Sequence, residues 1–343
     1  MKTIRPIAQA VTLGLTDVMR WVLVVLSVVL LAAQPGEPTR LSWKTVLSWL
    51  PTDTETLVIA PQPFSIPRIT NEDAERVPSP AEFLRTLALG RLFDFPIIYT
   101  PIVGRRVQFA VTAVGAFHSP SALGLGPYDS CAVIKFADRL GTGLEAAFVK
   151  LPKEQIEGVT AYVETEVDPG SRRDRPAYMT LLVAQAAPDV LLVATDRISL
   201  RTLISRRRVS ASGRALPEDI PEWRLVDFSA EAWAIRHYRR SNAGNGRTVL
   251  LSGPREGTDP DAVGVVYNAQ PQSTEQIAYY LSRGQQATRN AMLNWQWRDE
   301  GLKSRARWKL KGVVEVRAAT PSEEANFTFL LLLLTNLGYQ LAM

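Results

Sequence analysis

The sequence predicts an α+β fold made of two related units of mainly antiparallel sheet, with helices packed on one face. Two observations predict it. A Leu-Pro turn feeding an extended apolar run occurs twice, at Leu50-Pro51-Thr52-Asp53 before Thr56 to Ala60 and at Leu216-Pro217-Glu218-Asp219 before Trp223 to Asp227. The remaining strand-like runs are joined by short polar loops rather than by helices alone, which makes their neighbours antiparallel.

In chain order, residues 1–33 read as an export signal or N-terminal membrane anchor. Arg20 precedes the uncharged run Trp21 to Ala33, and Gln34-Pro35-Gly36 follows it. A spanning helix needs about 20 apolar residues, so this shorter run favours cleavage after Ala32 or Ala33 over a permanent anchor. Met19 gives a more compact leader than Met1. The body is then expected in the periplasm or outside the cell, or held at the membrane through residues 21–33 if the leader stays uncut.

The first unit is placed at 41–208. It carries strands at Thr56–Ala60, Val107–Val114, Ala132–Phe136 and Val190–Thr195, and helix-like stretches at Gly143–Val149 and Ile198–Ser205. Its proline-rich insertion holds one well-specified helix: Ser79 caps, Pro80 starts, Glu82 completes a capping box and Gly90 stops it. A joint near Ser210–Gly213 leads to the second unit, 216–343. That unit is expected to repeat the order with strands at Trp223–Asp227, Thr248–Leu251, Ala262–Tyr267 and Val313–Thr320. A helix is expected over Thr274–Leu293, and another from Thr320-Pro321-Ser322-Glu323 through the Leu330–Leu334 run, which is too short to span a membrane.

The segments Leu50-Pro51-Thr52-Asp53-Thr54-Glu55, Ala215 to Asp227 and Trp233 to Tyr238 resemble those of uncharacterised bacterial exported proteins with an L-P-x-D-T-E strand opening. The resemblance implies export and a repeated α+β build; it implies no activity and no catalytic residue.

Composition narrows the chemistry. The 343 residues are 46% hydrophobic and 21% charged, ordinary globular proportions, with a mild net charge of +5. One cysteine, Cys131, forbids an internal disulfide and reads as a buried small hydrophobe. Two histidines, His118 and His237, leave few routes to zinc, and no cofactor is expected. The phosphate-binding glycine motifs are absent: Gly124-Leu125-Gly126 lacks a third glycine, and Gly244-Asn245-Gly246 reads as a loop tip.

The best constellation is basic. In Ser304 to Lys311 cations alternate with apolar residues, so a strand there places Arg305, Arg307, Lys309 and Lys311 on one face as a candidate anion-binding stripe. The plain account is a solvated edge that resists pairing. Its expected partner is an anionic envelope polymer or lipid headgroup, and export disfavours nucleic acid. Arg206-Arg207-Arg208 complements a helix C-terminus, and Arg172-Arg173-Asp174-Arg175 is a loop cluster. Glu164 and Glu166 sit at strand spacing and read as solvated acids. The function expected is a non-enzymatic binding or structural component of the envelope; the alternative is an envelope hydrolase using His118 or His237.

Overall fold

The computed structural model describes residues 41–68, 79–115, 129–140, 146, 148–167, 178–209, 213–237, 262–269, 275–282, 303–310 and 313–319. The export leader, His118, Lys311, the Arg172–Arg175 cluster, Gly244–Gly246, the proposed strand at Thr248–Leu251, the last helix and most of 143–149 lie outside them.

The described strands are β1 (Thr56–Ala60), β2 (Phe64–Ser65), β3 (Arg106–Gly115), β4 (Asp129–Phe136), β5 (Lys153–Ile156), β6 (Val159–Val167), β7 (Tyr178–Ala187), β8 (Val190–Ala194), β9 (Ala232–His237), β10 (Ala262–Ala269), β11 (Glu275–Ser282), β12 (Lys303–Leu310) and β13 (Val313–Ala319). All thirteen belong to one sheet, in the order β12-β13-β11-β10-β9-β1-β3-β4-β8-β7-β6-β5 with β2 beside β3. Each pairing is antiparallel, as expected. The two stretches read as separate units therefore share a sheet. They meet at its middle, where β1 pairs with β9 from Thr56 opposite Arg236 to Ile59 opposite Trp233.

Helices α1 (Trp43–Val46), α2 (Pro80–Ala88), α3 (Pro96–Tyr99) and α4 (Arg197–Arg208) cover the sheet. They cover both faces, which corrects the one-face expectation. Val58, Ala110, Ile134, Val193 and Ala234 form a core with Leu84, Leu87 and Ala88 of α2 and with Ile98 and Ile102 after it. The alternate residues Leu57, Ile59, Val111, Val133, Leu192 and Trp233 are equally buried and face the other way, toward α1 and toward Leu200, Leu203 and Ile204 of α4. Every residue of β1 and of β8 is buried, the signature of a strand covered on two sides.

Local chemistry sets the helix ends. Ser79 Oγ accepts from the Glu82 amide at 3.3 Å while the Glu82 carboxylate accepts from the Ser79 amide at 2.8 Å, closing the predicted box. Gly90 stops the chain at φ +69°, where a Cβ would stand 3.3 Å from that of Ala132. Asp196 caps α4 by accepting from the Ile198 and Ser199 amides, each at 2.8 Å.

Two expected elements differ. The helix expected from Thr274 is strand β11 over its described part, paired on both sides; Ile277, Tyr279 and Leu281 recur with period two, and this outweighs the local cap signal at Ser273. The strand expected at Trp223–Asp227 is a 3-10 helix over Pro221–Leu225. Pro221 removes an amide donor there, the Trp223 indole bonds the Pro217 carbonyl at 2.7 Å, and Ala232–His237 takes the place in the sheet instead.

Candidate functional site

The two Leu-Pro openings lie on either side of one cavity. Its volume is about 670 Å³, and it is lined by Lys44, Ser48 and Thr52 from the α1 side and by Gly213, Arg214 and Glu218 from the other. Arg206, in the last turn of α4, joins the walls: its Nε donates to the Ser48 carbonyl at 3.0 Å and its Nη2 to the Gly213 carbonyl at 2.8 Å. Burial lowers the Arg206 pKa from its ordinary value, and the Asp53 carboxylate partly opposes that.

Beneath this surface is an aromatic cluster centred on Trp233 of β9, which is fully buried. Trp43, Trp223 and Phe228 meet its ring edge-to-face at centroid distances of 5.4, 5.8 and 6.0 Å. Cations rest on two of its outer rings: Lys44 Nζ is 5.6 Å from the Trp43 centroid and the Arg214 guanidinium 4.7 Å from Trp223. Separately, the Arg207 guanidinium lies 5.7 Å from the Trp49 ring. Burial lowers the Arg207 pKa, and neighbouring Arg208 adds to that. Lys44 and Arg214 thus line the cavity together with Glu218, although Lys44 is far from the other two in sequence. The Arg206-Arg207-Arg208 triplet, a cluster in the sequence, supplies only Arg206, which ties the two walls together.

The predicted stripe is placed at a sheet edge. Arg305, Arg307 and Lys309 belong to β12, with Arg305 registered opposite Arg317 and Arg307 opposite Glu315. The register shifts between Trp308 and Leu310. The cavity cations come from other elements.

His237 ends β9, an interior strand rather than a sheet edge. Its Nδ1 is 2.7 Å from Glu222 Oε1, and its amide donates to the Glu55 carbonyl at 2.8 Å. Glu222 is fully buried, and its other carboxylate oxygen has no hydrogen-bond partner among the described residues.

Glu164 corrects the reading of a solvated acid. It is 2% exposed and accepts from the Ile97 and Ile98 amides at 2.9 and 2.7 Å, capping α3 from β6. Burial raises its pKa, the two amides oppose this, and Glu166 adds a further rise. Cys131 is buried in β4, as expected. Among the described residues no cluster of His, Cys, Asp and Glu is arranged to hold a metal ion, and no helix is long and apolar enough to cross a membrane.

No family model and no curated protein matches the chain. Solved structures of TP0453 are similar: crystal form I at 13% identity and a TM-score of 0.46, covering 84% of this chain and 96% of that one, and crystal form III at 12% identity and a TM-score of 0.43, covering 82% and 96%.

Proposed function

We propose that this protein is exported and serves in the cell envelope as a non-enzymatic binding component for an anionic partner, an envelope polymer or lipid headgroup. The observation that carries the reading is the pair Lys44 and Arg214, each over a tryptophan ring and both lining one open cavity. Cations held against aromatic faces keep their charge available to a ligand while their side chains are already ordered, which lowers the entropy cost of binding. The Arg305, Arg307 and Lys309 stripe, extended by Lys311, is a second contact for the same partner. The leader at Trp21–Ala33 and the likeness to exported proteins with an L-P-x-D-T-E opening support the location.

A duplicated build belongs to the same reading, and strand order supports it. From the central β1–β9 pair, β1, β3 and β4 run outward and β7–β8 return to pair with β4; β9, β10 and β11 run outward and β12–β13 return to pair with β11.

The test is chromatographic. The full chain is retained on a heparin-type column and released by salt, and elution moves to lower salt in Lys44→Gln/Arg214→Gln and in Arg307→Glu/Lys309→Glu. Passage without retention at low salt overturns the reading. Location is tested by fractionating a bacterial host and sequencing the N-terminus of the product; intact protein confined to the cytosol removes export.

The hydrogen bond between His237 and Glu222 favours a second reading, an envelope hydrolase in which the carboxylate orients the imidazole. It requires ester, amide or glycoside hydrolysis that His237→Ala abolishes without unfolding the protein.

A further inference from the structure

The cavity between the two openings has the features of a small-molecule site. A volume of about 670 Å³ falls within the range of about 300–1,000 Å³ typical of ligand pockets. Its walls are held in place. Arg206 bonds both sides, Gly213 sits at φ +83° with its Cβ position 3.2 Å from Thr52 Cγ2, and Leu216 is a fully buried non-glycine residue at φ +52°. Backbone held in sparsely populated conformations concentrates at binding sites, where surrounding contacts enforce it.

The charges are arranged for exchange. Arg214 Nη1 donates to Glu218 at 2.6 Å, but the Glu218 side chain is 79% exposed. Such a surface pair contributes little stability, so an incoming anion replaces Glu218 at small cost. The planar guanidinium suits a carboxylate or phosphate, and Lys44 lines the same cavity as a second cation. Ser48 Oγ donates to the Thr45 carbonyl at 2.8 Å and keeps its lone pairs for a ligand hydroxyl.

We infer that this cavity binds an acidic saccharide, a hydroxylated ring carrying a carboxylate or phosphate, which displaces Glu218 from Arg214. The inference rests on the reading of the chain as a binding component and narrows it to one site and one ligand class.

The experiment titrates the full chain with trigalacturonic acid, with neutral maltotriose as control, with polygalacturonate as the polymeric source and with phosphatidylglycerol vesicles as the lipid source. The acidic trisaccharide binds and the neutral one does not. Lys44→Gln and Arg214→Gln each weaken the acidic ligand at least about tenfold, and Glu218→Gln tightens it several-fold. Asp94→Asn makes the same charge change on the opposite face of the sheet and leaves affinity unchanged. Circular dichroism confirms folding, and because Glu218 is exposed, its variant keeps the test valid if Arg214→Gln unfolds. Equal binding of both trisaccharides, affinity unmoved by Glu218→Gln, polymer binding unmoved by the cavity variants, or binding to vesicles alone each overturns the inference. Retention on the heparin-type column without trisaccharide binding overturns it and spares the broader reading; loss of both overturns the two together.

Discussion

The amide of Ala215 donates to the carbonyl of Leu47 at 2.8 Å, seating the second Leu-Pro opening against the turn that follows α1. Arg206 bonds the flanking Ser48 and Gly213 carbonyls, so both walls of the cavity are fastened by main-chain groups and do not depend on a bound ligand to close. Four changes test how this frame and the fold around it are held.

Gly213→Ala forces a Cβ toward Thr52 and a side chain into the left-handed region. The expected loss is at least about 1–2 kcal/mol, read as a lower urea midpoint with unchanged slope. A variant as stable as the parent shows that the loop relaxes and that its position is not fixed by this glycine.

Trp233→Ala removes the ring on which Trp43, Trp223 and Phe228 converge. Deleting a buried aromatic costs about 3–5 kcal/mol, and the near-ultraviolet circular dichroism of the cluster should fall with it. Stability within 1 kcal/mol of the parent, roughly the level of an ordinary surface change, contradicts the packing described.

His237→Ala strands a carboxyl that is already short of partners, since Glu222 Oε2 has none among the described residues. The expected cost is about 1–3 kcal/mol, and His237→Phe with Glu222→Leu should recover part of it, because two apolar groups leave nothing polar unpaired. Additive losses in that double variant show the two side chains are not coupled.

Glu164 gives a pH dependence with a defined sign. Burial raises its pKa, so above the ordinary carboxylate value the folded chain still holds a proton that the unfolded chain has released. Stability from this group is full below the unfolded value and is lost as pH rises through the folded one. Unfolding midpoints taken from about pH 4 upward should therefore fall more steeply in the parent than in Glu164→Gln. A parent slope that is flatter, or that rises relative to the variant, refutes the assignment.

Legibility in the sequence followed the range of the interactions. The α2 helix was readable to the residue because its cap, its starting proline and its stop glycine lie within a dozen positions and act locally. The helix-like stretch at Ile198–Ser205 lies within the observed Arg197–Arg208 helix, and strands stand where expected at Thr56, Val107, Ala132, Val190, Ala262 and Val313. Leu57 to Ala60 and Val190 to Ala194 are continuously apolar with no alternation, the pattern of a strand covered on both faces. Glu164 carried no comparable signal, since a glutamate that caps a helix from another strand looks the same in sequence as one in water.

By itself the sequence determined the α+β class, the antiparallel pairing, the ends of the Pro80–Ala88 helix and the burial of Cys131, because each depends on neighbours along the chain or on simple hydrophobic periodicity. Only the tertiary structure decided that β1 and β9 pair in one sheet, that helices lie on both faces, and that Lys44 and Arg214 share a cavity with Glu218. Those contacts join residues remote in sequence, and their geometry is fixed by strand register and by packing around Trp233, neither of which leaves a mark in any short stretch of the chain.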